Sequence, residues 1–158
     1  MVLRAGTILD GREKPMLLMQ NAIKVMTNRM PKVISPKTHA IIDYATAGAF
    51  IGMGIFLWRR NKRAAMASLI CGGAEAATSL LTDYPGGVWR LMSFRVHGGI
   101  DMGLATLAGS MPEMMNFDES RASRFFTVQS LRIAAVTGLT DFTGTGEPRQ
   151  FEQLRRAS

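Results

Sequence analysis

Sulfur chemistry is nearly missing from this chain: Cys71 is the single cysteine in 158 residues. No intramolecular disulfide can form, and secretion into an oxidising compartment gains no support. Zinc-ligand spacing of the finger type is absent too. There is no interleaving of aromatic and basic residues of the kind that reads bases. The 19 Lys+Arg against 12 Asp+Glu, a net charge of +7, therefore do not point to nucleic acid. No nucleophile–base–orienter set, phosphate-cradling glycine loop or paired carboxylates in a cleft can be found, so no enzyme chemistry is expected. Gly72-Gly73 and Gly86-Gly87 read as packing and turn residues. Between Met1 and Pro15, Arg4, Asp10, Arg12, Glu13 and Lys14 leave no sustained apolar core, so a secretory signal is not expected. Charge is scarce over two long stretches. Asp43 is the one formal charge from His39 to Trp58, and Glu75 is the one from Ala64 to Leu81. The basic residues flank these stretches, which suits anionic lipid headgroups.

What is present is a repetition. Val96-His97-Gly98-Gly99-Ile100-Asp101 restates Thr38-His39-Ala40-Ile41-Ile42-Asp43 at an offset of 58 residues. The same offset carries Ser35 onto Ser93, Arg63-Ala64 onto Arg121-Ala122, Ala76-Ala77 onto Ala134-Ala135, and Leu81-Thr82-Asp83 onto Leu139-Thr140-Asp141. Between residues 35–87 and 93–145 there are 14 identities in 53 ungapped pairs. Such self-similarity is the mark of a duplicated structural unit.

Each unit reads as two helices. Ser35 caps the first, with Pro36 at its first helical position. The 20 residues from His39 to Trp58 reach ~30 Å, the thickness of a hydrocarbon core. Trp58 and Arg59-Arg60 mark an interface. Ala64 to Leu81 is the second span, ended by Asp83-Tyr84-Pro85-Gly86-Gly87. Ser93 caps a third span, Phe94 to Met111, which Pro112 breaks. Glu113 to Arg124 reads as a polar loop, and Phe125 to Phe142 as a fourth span interrupted by Arg132. Gly48-x-x-x-Gly52 and Gly99-x-x-x-Gly103 offer small faces on which helix backbones can approach closely.

The expected fold is all-α: a four-span transmembrane helical bundle of two tandem two-helix repeats, preceded by an amphipathic helix. Residues 1–34 hold a polar leader and that helix, whose Met16, Met19, Ile23, Met26 and Met30 share one face. It suits a membrane surface or a docked partner. Residues 35–87 and 93–145 are the two membrane repeats, and 146–158 a polar tail. A soluble four-helix bundle is the alternative, but no span shows a continuous charged face. With two spans per unit the repeats are parallel, and both termini lie on one side of the membrane. That side carries 12 Lys+Arg and the other 6, which favours cytoplasmic termini in a bacterial inner membrane. The Arg59–Arg63 cluster on the opposite side weighs against that orientation.

At Ser79-Leu80-Leu81-Thr82-Asp83-Tyr84, then Arg95-Val96-His97 and Ile100-Asp101, the chain resembles the SPW-repeat family of small bacterial and archaeal membrane proteins. The likeness spans residues 35–142. The Ser-Pro-Trp triplet itself is missing; Ser110-Met111-Pro112 stands near its place. The resemblance implies a four-span membrane fold and no activity.

His39 and Asp43, four apart, share a helix face, as do His97 and Asp101. Spans 1 and 3 begin on the side where spans 2 and 4 end. His39, Asp43, Thr82, Asp83, His97, Asp101, Thr140 and Asp141 are therefore expected to form one polar network within ~10 Å of depth. Three roles fit. It can be a structural hydrogen-bonded cluster. It can be a haem b or metal site with His39 and His97 as ligands, in an electron-transfer subunit. It can be a proton or ion path. Glu75 and Arg132, both ~12–14 Å from that end of the spans, are expected to form an intramembrane ion pair. The function expected first is non-enzymatic and without cofactor: a structural or accessory subunit in the lipid bilayer, packed on other membrane subunits or on itself. The haem or metal subunit comes second and a small ion or proton transporter third.

Overall fold

The computed structural model describes residues 30–117 and 120–142. The chain divides into two compact units, Met1–Pro31 and Lys32–Ser158. The expected amphipathic helix and the polar tail lie outside the described residues. The second unit is mostly helical, with four helices among the described residues: α1 Pro36–Leu57, α2 Lys62–Leu81, α3 Phe94–Met114 and α4 Ser120–Leu139. Helix α1 packs on α2, α3 on α4, and α2 on α3. Two helices, α1 and α2, are long and apolar enough to cross a membrane.

The helix starts follow from local chemistry. Ser35 and Ser93, both extended, accept hydrogen bonds from the Thr38 and Val96 amides. Each satisfies one of the amides that a helix start leaves without a partner. Asn61 does the same for Ala64 at the start of α2. Helix α3 runs through Pro112 to Met114, so the expected break does not occur there. Proline sits in the last turn, and Met115 N–H still reaches Met111 O at 2.9 Å. The expected long polar loop is correspondingly short, since α4 begins at Ser120.

Two short extended pieces join the helix ends. Strand β1, Thr82–Asp83, lies parallel to β2, Met92–Ser93, and Thr82 pairs with Met92. Ile34 forms a parallel bridge with Thr140. These pairings correspond at the 58-residue offset. The segment before α3 lies on the end of α2, and the segment before α1 lies on the end of α4. The amides follow suit: Leu91 N–H bonds Leu81 O at 2.7 Å, and Val33 N–H bonds Leu139 O at 2.9 Å. Each hairpin therefore begins on the end of the other.

The interior is split by polarity. One half is apolar and built around Phe50, Leu57, Cys71, Leu104, Ala108 and Phe126, all buried. Gly72 lets the helices touch here, since a Cβ would meet Ala47 O at 3.1 Å and Ile51 Cγ1 at 2.9 Å. Gly48, Gly52, Gly99 and Gly103 have open space where a Cβ would stand. Those small faces point outward and do not bring α1–α4 together. The other half of the interior is polar.

Candidate functional site: a buried His–Asp quartet

His39 on α1 and His97 on α3 are both 0% exposed. Asp43 and Asp101, one turn further along the same helices, are 3% and 1% exposed. The i, i+4 spacing puts each carboxylate beside its own histidine, and packing brings the two pairs together. His39 Nε2 lies 3.4 Å from Asp43 Oδ1 and 3.1 Å from Asp101 Oδ2. His97 Nε2 lies 3.2 Å from Asp43 Oδ2 and 3.3 Å from Asp101 Oδ2. The two Nε2 atoms are 3.3 Å apart. One potential ligand atom from each residue falls within 4.8 Å of all the others.

The other ring nitrogens are held from behind. Thr82 Oγ1 donates its one proton to Thr78 O at 2.6 Å. It can then only accept from His97 Nδ1–H, at 2.8 Å. Thr140 Oγ1 donates to Val136 O at 2.7 Å and accepts from His39 Nδ1–H, also at 2.7 Å. Each threonine belongs to the hairpin opposite its histidine. Both imidazoles are thus protonated on Nδ1, and when neutral both aim a lone pair at the centre. Each centre-facing atom of the quartet is then an acceptor.

An aromatic cover closes the site. Phe94 and Phe142 stand edge-on to His39, with ring centroids 5.2 and 5.5 Å away. Tyr84 packs on His97 at 5.3 Å and donates its hydroxyl to Asp43 Oδ2 at 3.0 Å. Burial raises the Tyr84 phenol above its ordinary range, with the nearby Asp43 charge adding to the effect. Phe142, at the 58-residue offset from Tyr84, has no hydroxyl to give. Asp101 Oδ1 is buried without a hydrogen-bond partner. Outside the cover, a pocket of about 380 Å³ opens between Pro36, Tyr84, Pro85, Phe94 and Phe142.

Of the eight residues expected in the network, six are buried together. The other two are not. Asp83 is exposed and lies 3.6 Å from Arg90 Nε at the surface. Asp141 is half-buried, with its amide bonded to Ile34 O at 3.2 Å. Helix α2 has ended by then, and adjacent residues of an extended segment point to opposite sides. Thr82 therefore faces in and Asp83 out. The expected Glu75–Arg132 pair makes no direct contact. Arg132 Nη2 donates to Thr46 Oγ1 and to Ile42 O, 3.4 Å away, both on α1. Glu75, 2% exposed, leaves Oε2 without a partner. Tyr84 and Thr137 were missed as members. Thr137 Oγ1 lies 3.4 Å from Asp101 Oδ2, and its place one turn before Thr140 is the signal that could have found it.

No protein-family model, curated protein or solved structure matches this chain. The SPW-repeat likeness therefore rests on its short motifs alone.

Proposed function

We propose that the chain is a non-enzymatic integral membrane protein: two fused helical hairpins crossing the bilayer as four spans, serving as a subunit packed on other membrane helices. The observation that carries this is the inverted distribution of polarity. Histidine, aspartate, glutamate, threonine, serine and glutamine side chains are buried, while Ile41, Ile55 and Phe56 on α1, Met66 and Ile70 on α2, Val96 and Ile100 on α3, and Val128 and Leu131 on α4 are exposed. A chain in water does the reverse. In lipid, polar residues turn to the bundle interior and apolar ones face the tails. The polar residues that lower the hydropathy of α3 and α4 include His97, Asp101, Gln129 and Thr137, all interior. The corresponding cap, bridge and histidine geometries at one offset support an origin by duplication. The outward Gly48-x-x-x-Gly52 and Gly99-x-x-x-Gly103 faces suit close contact with further helices. The bacterial inner membrane, with cytoplasmic termini, is the location this reading takes.

Fractionation of expressing cells tests it. The protein should remain in the membrane pellet after alkaline carbonate and migrate in mild detergent as an assembly larger than one chain. Recovery in the carbonate supernatant would refute the membrane reading, and a stable monomer the subunit reading.

Among the alternatives, the geometry favours a metal over haem. Axial histidines must face each other across a porphyrin plane, and here two carboxylates crowd the space around both Nε2 atoms. A transporter needs a continuous polar path, and the half of the interior around Phe50 and Phe126 is apolar and close-packed.

A further inference from the structure

We infer that His39, Asp43, His97 and Asp101 form a resident site for one divalent transition-metal ion of the kind that imidazole and carboxylate ligands bind, such as zinc. Three independent observations converge on it.

The first is shape. Five N···N and N···O separations within the quartet run from 3.1 to 3.4 Å, Asp43 entering one through Oδ1 and another through Oδ2, and one ligand atom from each residue lies within 4.8 Å of all the others. Ligand atoms each about 2.0 Å from a tetrahedral zinc stand about 3.3 Å apart, which these separations match. Two Nε2–H groups facing each other at this separation would repel.

The second is hydrogen-bond polarity. The Thr82 and Thr140 hydroxyls can only accept from the Nδ1–H groups, which leaves both Nε2 atoms to face the centre, as lone pairs when the rings are neutral. Holding the far ring nitrogen this way is how proteins orient metal-bound histidine. Tyr84 adds an outer donor to Asp43. Asp101 Oδ1, buried and unpartnered, marks the place where the hydrogen-bond network is short of a positive partner.

The third is charge. Two carboxylates and two neutral imidazoles carry a charge of −2, and a dication brings the buried centre to zero. A cluster of this burial needs such compensation. With four protein ligands and no open position the ion would be structural, clamping α1 to α3 and so one hairpin to the other. The inference goes beyond the membrane reading and does not depend on it, because ion binding can be read in whichever fraction the chain is recovered.

The test uses the full chain purified in mild detergent, stripped with a chelator and titrated with Co²⁺. The expected result is one equivalent bound with the visible bands of four-coordinate cobalt, displaced by Zn²⁺. Asp101→Asn and His97→Ala should lose stoichiometric binding, Thr82→Val should weaken it about 10- to 100-fold, and the surface variant Asp83→Asn should retain it. Circular dichroism reports whether each variant keeps its helices. If His97→Ala does not fold, His97→Cys supplies a thiolate ligand and should add a sulfur-to-cobalt charge-transfer band. A helical wild-type chain that takes up neither ion, a His97→Ala variant that binds like wild type, or a His97→Cys spectrum without the new band would overturn the site.

Discussion

Two threonine hydroxyls set the chemistry of the quartet. Thr82 and Thr140 give their protons to carbonyls four residues back in their own helices. Their lone pairs are then the only partners of the two Nδ1–H groups. Removing one leaves a buried donor unmet, which costs roughly 1–3 kcal/mol. Thr140→Val should therefore lower stability by about that amount while barely changing side-chain volume, as read by thermal unfolding in detergent. A variant that melts with the wild type would mean His39 finds another acceptor. At neighbouring positions the 58-residue correspondence fails. Tyr84 gives Asp43 a hydroxyl, and Phe142 at the corresponding place gives Asp101 none. The i, i+4 pairs and the threonines were legible in the sequence, because helical spacing is local and the offset repeats them. The partner of Arg132 was not. Its reach to Thr46 rather than Glu75 depends on how α4 lies against α1, which no spacing within α4 records.

Helices α1 and α2 show what small residues do when they face different ways. Gly72 is wedged against α1, and a methyl group there must displace the Ala47 carbonyl or Ile51. Gly48, two turns along α1 from His39, has free space around it. Gly72→Ala should destabilise the chain by about 1–3 kcal/mol through overpacking. Gly48→Ala should be neutral or stabilise it by up to about 1 kcal/mol through helix propensity. Equal effects of the two changes in a thermal melt would contradict the packing described. Spacing alone marks Gly48 and Gly52 as a face on which helix backbones can approach closely. A stripe of glycines states that a close approach is permitted and not which helix makes it.

The split interior governs how the whole molecule can behave. Its polar half holds the quartet with Tyr84, Thr137 and Glu75, and its apolar half is closed by Phe50, Phe126 and the alanines of α2 and α3. Large apolar side chains are exposed on all four helices, so under the proposed membrane reading a charge placed among them would face lipid. Leu131, 66% exposed near the middle of α4, is the sharpest probe. Leu131→Arg should impair membrane insertion by roughly 2.5–3.5 kcal/mol on a translocon scale, measured as the carbonate-resistant fraction. Undiminished insertion would argue that α4 does not cross the bilayer.

Much of this protein is written in short-range pattern. Serine caps, a turn-forming Pro-Gly-Gly, histidine and aspartate one helical turn apart, and a 58-residue offset each act over a few residues or recur at one fixed spacing, so they can be read from the chain in one dimension. The pairing of each histidine with a threonine of the other hairpin links residues 101 and 15 positions apart. The gathering of two histidines and two aspartates into one buried cluster likewise arises only when α1 meets α3. The turn of Asp83 to the surface comes from the end of α2 one residue too early to keep it inside. These outcomes depend on the angles and contacts between helices, and packing across the hairpins sets those.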